Sequence, residues 1–548
     1  MQIGLDVGGT HTDAVLMDGN AVVARTKTTT SEDVASGIET ALSVVLEEQN
    51  PKAVSLLTIG TTQFTNAVIE RKHLSRVAVV RACLPAGRGL KPRADWPADL
   101  ASATDGGNYV IHGGHLYDGR TLADLDEREI EQVIEALRGS APDSVVISTA
   151  FSPMQQDYED ALAARFSAAL PQIHVCPAHP MDALGLIERE HAAILNASLL
   201  NFAQRVVTAL VRSSQHFGLV CPVYVSQNDG TLIDLDKVSA FPALTFASGP
   251  TNSIRGAWAL TGLSDAIVID VGGTTSDIGV LKNGFPRQSN LVIDVGGVRT
   301  NFRMPDVLAM GLGGGSLIGR DGDQCGPQSV ARELKNKAVC FGGDVLTLTD
   351  VAVSQGRMEI ARATINDPAP QAVCDRVDAL IVERLSAAVD LMKPGGATLP
   401  VILVGGGAPL IPGEKLAGCP VIRPINADVA NAIGASIAQV SGEAEGLFVV
   451  GAQTRDEALK ALTVEAERLA VVAGADPKSV VPINIEEVDI PYMATETTRI
   501  RVTVVGDLAQ KEPPSRSRIC EPHEYAHQAG QPAVCEAGAE PNRVVPVG

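Results

Sequence analysis

Two short runs carry the residue types from which a phosphate site is built. DVGGTHTD at 6–13 and DVGGTTSD at 270–277 agree at six of eight positions, and each follows an apolar strand and leads into a second one. The glycine pairs Gly8-Gly9 and Gly272-Gly273 leave consecutive backbone N–H groups open to phosphate oxygens. Threonines beside them add hydroxyl donors, and a leading aspartate in each run can hold the water shell of Mg²⁺. A single such turn reads equally well as a hairpin with a convenient glycine. Two copies in equivalent strand contexts, with a distant strand that ends in Gly405-Gly406-Gly407-Ala408, read as the parts of a nucleotide clamp.

These turns need strands to hold them. IGLDVGGTHTDAVLMDGNAVVARTKTT reads as alternating strands, with a second hairpin around Asp18-Gly19-Asn20. Helical spacing follows from Glu32 to Glu48, then a strand from Ser55 to Ile59, a buried strand at 144–149, a helix from Asp157 to Leu170 and a long helix from Ala192 to Ser214. AIVIDVGGTTSDIGVLKNG restarts the pattern near Ala266, too far along for a solenoid repeat, so two related lobes are expected. Leu380 to Met392 reads as a helix, PVILVGGGAPLI as a strand and turn, and 426–440 as a capped helix whose small residues permit close packing. The pattern assigns an N-terminal lobe to 1–178, a second lobe to 179–445, a small βαββ-like α+β unit to 446–508 and a Pro- and Gly-rich tail without fixed structure to 509–548. The class is α/β.

Composition narrows the partners. Against 44 Lys and Arg stand 64 Asp and Glu, a formal charge of −20, and only 3% of residues are aromatic. A nucleic-acid binder needs a basic stripe and, for single strands, stacking rings; neither is expected here. No run of 18 apolar residues and no leader pattern is read in MQIGLDVGGT, so a cytoplasmic location without membrane attachment is expected. Nine scattered cysteines without a C-x-x-C pair suit reduced thiols.

The paired turns and the distant glycine run resemble the actin-like ATPase fold of acetate and sugar kinases, heat-shock chaperones and actin, over about residues 1–445. The resemblance implies an internally duplicated, two-lobed fold. It makes 6–13 and 270–277 the phosphate hairpins and Gly405 to Pro409 the adenosine turn, with Gly60-Thr61-Thr62 and Asn431 to Ala435 as connecting segments. Closer still, IGTTQFTNAVIERK at 59–72, SGP at 248–250, GLGGGS at 311–316, GPQS at 326–329 and TLTDVAVSQGR at 347–357 resemble, in order, segments of the hydantoinase, 5-oxoprolinase and acetone carboxylase family. Ile59 stands where that family usually has His, and the second hairpin reads TTSD where TSTD is common.

The resemblance implies an ATP- and Mg²⁺-dependent amidohydrolase acting on a small cyclic amide, as one subunit beside a second hydantoinase-type subunit or another protein partner. A ring amide is a poor electrophile; phosphorylating its oxygen makes that oxygen a good leaving group, provided the oxygen lies in line with the γ-phosphate. Thr10, Thr12, Thr274 and Thr275 are then candidate donors with Gly8, Gly9, Gly272 and Gly273, and Gly405, Gly406, Gly407 and Ala408 would hold the adenosine. Asp6 and Asp270 are candidate metal or water holders, while Asp13 and Asp277 either orient a threonine, act as base or merely close a turn. Thr61, Thr62, Thr65 and Asn66 read as a cleft lining or, at Thr62 or Thr65, as a helix cap. Glu188, Arg189, Glu190 and Asn196 resemble a family segment before a long helix, or cap a surface. A carboxylase subunit, a small-molecule kinase and an ATP-driven activator are the other readings, and the unit after 446 is a candidate partner-docking module.

Two further motifs are decoys on their context. IDVGGVRTN at 293–301 lacks the threonine and the closing aspartate, so it reads as a structural turn. HEYAH at 523–527 matches a zinc-protease pattern, but Pro522, Gly530 and Pro532 surround it in place of a helix.

Overall fold

The structure, a computed structural model, describes residues 1–509 apart from 10, 30–33, 118, 154, 182–184, 290–292, 361–368, 397, 450–453 and 491–496. Thr10, HEYAH and the tail reading from 510 onward lie outside the described residues.

Two sheets repeat one strand plan. In the first, Gln2–Val7 pairs antiparallel with His11–Asp18 and parallel with Leu56–Thr61. In the second, Ala266–Val271 pairs antiparallel with Ser276–Lys282 and parallel with Val401–Val404. Each sheet then adds one more parallel strand, Val223–Ser226 in the first and Cys419–Ile422 in the second. The register is the same in both hairpins, Asp6 opposite Asp13 and Asp270 opposite Asp277. This duplication is the two-lobed actin-like ATPase fold. Because Val223–Ser226 and Leu232–Asp234 complete the first sheet, the expected lobe boundary at 178 falls inside the first lobe.

Strand alternation decides which residues meet the cleft. In the first sheet Ile3, Leu5, Val7, Ala14 and Leu16 face one core, together with the long helix Leu186–His216. That helix is, among the described residues, the one segment long and apolar enough to cross a membrane, and 56% of its apolar stretch is buried inside the protein. The opposite sheet face carries Asp6, Asp13, Val15 and Met17, the last two packed on Val429, Ala432 and Ile433. The second sheet is arranged likewise, with helix Ser248–Thr261 on its cleft face.

The helices Ser248–Thr261 and Ala430–Ala435 therefore lie between the sheets, and they touch through glycine. A Cβ on Gly256 would collide with the Ala430 carbonyl oxygen, and one on Gly434 with that of Asn252. The expected helix over 426–440 is shorter: it ends at Ala435, because Val440 is drawn into another core and Gln439 opens a strand paired to Asp507.

Two smaller units complete the chain. A parallel four-stranded sheet in the order Asp105–His112, Val77–Leu84, Ser144–Thr149, His174–Pro177 has its own core with helices Glu127–Ser140 and Asp157–Ala169. Toward the C-terminus, strands Gln439–Val449, Thr497–Asp507 and Val481–Asp489 form an antiparallel sheet backed by helix Arg455–Val472. This βαββ unit begins seven residues earlier than the expected 446, and it shares its core with Leu56, Tyr224 and Leu232 of the first lobe. The seven described cysteines are free thiols.

Candidate active site

Four carboxylates converge where the two hairpins face each other. Asp6 and Asp13 share Asn431, whose Nδ2 donates to one oxygen of each at 2.9 and 2.8 Å. Asn252 donates to the other Asp6 oxygen at 3.2 Å. Both asparagines come from the helices that cross between the sheets, so the close glycine contact below sets the geometry above. Gly60 completes the fit, since a Cβ there would strike Asn252 and Asp6. In the second lobe the Ser253 hydroxyl donates to Asp270.

Burial makes this cluster costly to ionise. It pushes Asp6 up to about 6, helped by the neighbouring Asp13 charge, and pushes Asp277 up to about 7, helped by Asp270. Asp270 is raised as well, again chiefly by burial. One cation answers the cluster directly: Lys27 on strand Ala21–Thr29 reaches Asp13 at 2.7 Å. Asp13 Oδ1, though buried, has no hydrogen-bond partner. Among the described residues no three His, Cys, Asp or Glu form a metal cage. A nucleotide-bound Mg²⁺ needs only one or two carboxylates, the rest of its shell being water and phosphate. Crowded acids from opposing hairpins and an unpartnered buried oxygen fit such an ion.

The glycine-rich segments support the turns. Gly314 and Gly315 donate backbone N–H groups to the Gly272 and Gly273 carbonyls at 3.0 and 2.7 Å, so GLGGGS braces the second hairpin. Gly405 and Gly407 are packed against Asp270 and Val271, while Gly406 is exposed with its open side near the Lys27 stem. Ala408 begins a short 3₁₀ turn. Arg332 donates to the Gly9 carbonyl, tying the second lobe to the tip of the first hairpin.

A cavity of about 390 Å³ opens beside Asp277. Thr62, Thr65 and Asn66 form its polar side, and Phe246, Pro250, Ile293, Met304, Pro305 and Val307 much of its apolar side. Thr62 stands at the N-cap position of helix Gln63–Glu70, where the capping alternative puts it, and Thr65 lies within that helix. Thr62 makes no side-chain cap bond, the Gln63 N–H goes to Thr61 Oγ1 at 3.3 Å, and Thr65 donates to the Phe246 carbonyl at 2.5 Å. Thr61 is buried, with its backbone bonded to Ser248.

Other candidates lie elsewhere. Thr12 is fully buried on the core face, opposite to Asp13, so its hydroxyl does not meet the cleft. Thr274 and Thr275 remain at the turn, half-buried and exposed respectively. Glu190 is buried against Arg81, which it grips at 2.6 and 2.8 Å, and accepts from Ser148; it joins the four-stranded sheet to the long helix and does not line the cavity. Arg189 and Asn196 are buried in the same helix, and Glu188 lies 3.9 Å from Arg299. The IDVGGVRTN turn is a small hairpin, Ile293–Val295 with Val298–Thr300, and contributes Ile293 to the cavity wall.

Comparison with known proteins shows the family and the fold. Residues 2–169 match the hydantoinase/oxoprolinase N-terminal region, and residues 189–378 match hydantoinase/oxoprolinase. The chain belongs to the hydantoinase/oxoprolinase family. It is 26% identical over 431 residues to the caprolactamase subunit alpha of Pseudomonas jessenii, covering 73% of this chain and 61% of that one. To the acetophenone carboxylase gamma subunit of Aromatoleum aromaticum it is 24% identical over 399 residues, covering 65% and 53%. The chain thus spans about three fifths of the length of the curated relatives it matches, or less. The fold matches the crystal structure of the ATP-dependent caprolactamase from Pseudomonas jessenii with a TM-score of 0.73 at 20% identity, over 94% of this chain and 88% of that one. It matches nucleotide-free acetone carboxylase with a TM-score of 0.63 at 16% identity, over 93% and 88%.

Proposed function

We propose that the protein is an ATP-dependent amidohydrolase that opens a small cyclic amide by phosphorylating the amide oxygen. The observation that carries this reading is the cavity of about 390 Å³, which touches Asp277 of the second phosphate hairpin on one side and Thr62, Thr65 and Asn66 on the other. That volume lies in the range of small-molecule sites. A ring seated on the apolar wall would turn its amide toward the threonines and asparagine, within reach of a γ-phosphate held between the hairpins. Gly8, Gly9, Gly272 and Gly273 supply backbone donors, Lys27 a charge, and Asp277 a carboxyl suited to moving a proton near neutral pH. Asp6 and Asp270 would hold Mg²⁺, directly or through water; the bound ion supplies charge neutralisation for phosphoryl transfer. The net change consumes ATP, amide and two waters and yields ADP, phosphate and a ring-opened amino acid. The caprolactamase relative, a subunit by its name, supports a second subunit in the working enzyme.

A second reading, an ATP-dependent carboxylase subunit, is favoured by the acetophenone carboxylase relative. One assay separates them. Turnover of ATP by the full chain with its partner subunit is measured with ε-caprolactam, 2-pyrrolidinone, hydantoin and 5-oxoproline, then with ketones and bicarbonate, and products are weighed by mass spectrometry. Stimulation by an amide with release of the ring-opened acid is expected. Bicarbonate-dependent carboxylation would shift the assignment, and failure to bind Mg-ATP would remove both.

A further inference from the structure

The C-terminal sheet has two unlike faces. Along Gln439–Val449 and Thr497–Asp507, Gly442, Ala444, Ile500, Val502 and Val504 point toward helix Arg455–Val472 or its core. Alternation then sends Glu443, Glu445, Arg499 and Arg501 to the other face, where Glu486 of the third strand joins them. There they form one lattice. Arg501 meets Glu486 at 3.1 Å, Glu443 at 3.5 Å and also Glu445, while Arg499 lies 3.7 Å from Glu486 and 3.9 Å from Glu445.

The lattice recruits one residue from outside the unit. Arg303 pairs with Glu443 and lies 3.9 Å from Glu445, bringing the count to three arginines and three glutamates, none more than 29% exposed. Arg303 sits between two residues with other duties. Phe302 is buried edge-on against Phe246, with ring centroids 5.1 Å apart, and Met304 and Pro305 line the cavity beside Asp277. With Phe302 fixed by a ring contact and Arg303 by an ion pair, the Met304-Pro305 wall that follows directly has little freedom to move.

We infer that Arg303, held by Glu443 and Glu445, is a positioning residue for the Met304-Pro305 wall, so that the C-terminal sheet helps set which ring the cavity accepts. This rests on the amidohydrolase reading only for the identity of the ligand; the clamp itself does not. A role of this kind differs from partner docking, because it predicts an effect inside the chain.

The test is the isosteric double variant Glu443→Gln/Glu445→Gln in the full-length protein. Hydrogen–deuterium exchange of peptides covering 301–307 is expected to speed up about tenfold, with exchange in 6–13 and 270–277 and affinity for Mg-ADP unchanged. For each amide that stimulates wild-type ATP turnover, KM is expected to rise about tenfold with kcat nearly kept, since a misplaced wall weakens seating more than chemistry. Unchanged exchange in 301–307 overturns the clamp. Faster exchange with an unaltered KM for every amide overturns its part in selection. If no amide stimulates the wild type, the functional reading fails, and the exchange result still decides the clamp.

Discussion

Asp277→Asn should make the resting protein more stable and the working enzyme inactive. Burial and the Asp270 charge raise the Asp277 carboxyl from 3.8 to about 7. Above pH 7 the folded state must carry a charge that the unfolded chain carries more easily, at a cost of up to ~4 kcal/mol. Asp277 keeps some contact with solvent, which screens part of this and leaves roughly 1–2 kcal/mol. The sign follows from proton counts. Between 3.8 and about 7 the folded state binds more protons than the unfolded one, so stability falls as pH rises through that window. The neutral Asn escapes the cost. At pH 8 the nucleotide-free variant should therefore melt about 1–2 °C above wild type, a gap that shrinks below pH 7 and closes near pH 4. Amide-stimulated turnover should drop by about a hundredfold or more, the usual loss for a proton-transfer group. Paired melting curves at pH 8, 6 and 4 with steady-state turnover at pH 8 supply both readouts. A variant no more stable at pH 8 than wild type would refute the electrostatic argument, and near-normal turnover would refute the catalytic one.

Three further outcomes are expected. Asp270→Ala should remove most ATP turnover, by a hundredfold or more, because it deletes a carboxylate at the proposed phosphate site; wild-type rates would contradict its role. Lys27→Met should weaken Mg-ATP binding about tenfold in calorimetry while costing the fold no more than ~1 kcal/mol, since the Lys27 side chain is 36% exposed. Gly434→Ala should destabilise the protein by about 1–3 kcal/mol and lower turnover as well, because the new Cβ drives against the Asn252 carbonyl and shifts Asn252 and Asn431 from Asp6; an unchanged denaturation midpoint would show that the helices are not in close contact.

What could be read in the sequence was whatever is built locally. Each hairpin is a contiguous run of eight residues, and its glycines and aspartates are placed by the turn itself. The residues that complete the site come from elsewhere. Asn252 and Ser253 follow SGP on a helix, and only the three-dimensional crossing brings them to Asp6 and Asp270. Lys27 was hidden by a single irregularity. Counting back from the Asp18-Ala21 pair in uniform register would set Asp13 opposite Thr26, but a shift between Leu16 and Met17 sets it opposite Lys27. A one-residue slip turns every side chain to the other face, so the sequence alone placed no cation here. Thr12 and Glu190 are both fully buried, and motif membership does not say which face of a strand or helix is buried.

The charge of −20 takes on a narrower meaning with these residues in place. Neither hairpin carries Lys or Arg, so phosphate binding was expected to rest on backbone N–H groups, threonines and Mg²⁺ alone. The fold adds cations by position: Lys27 stands beside Asp13, Arg332 reaches the Gly9 carbonyl, and Lys335 lies close enough to act on His11. Arg332 and Lys335 come from the second lobe, while Lys27 comes from the first. Three cations thus stand beside the four carboxylates where the two hairpins meet. A compact polyphosphate placed between the lobes meets Lys27 within a few ångströms, where screening by salt is weak. On the proposed reading, binding of a small nucleotide by so acidic a chain would rest on where these few cations are folded and not on net charge.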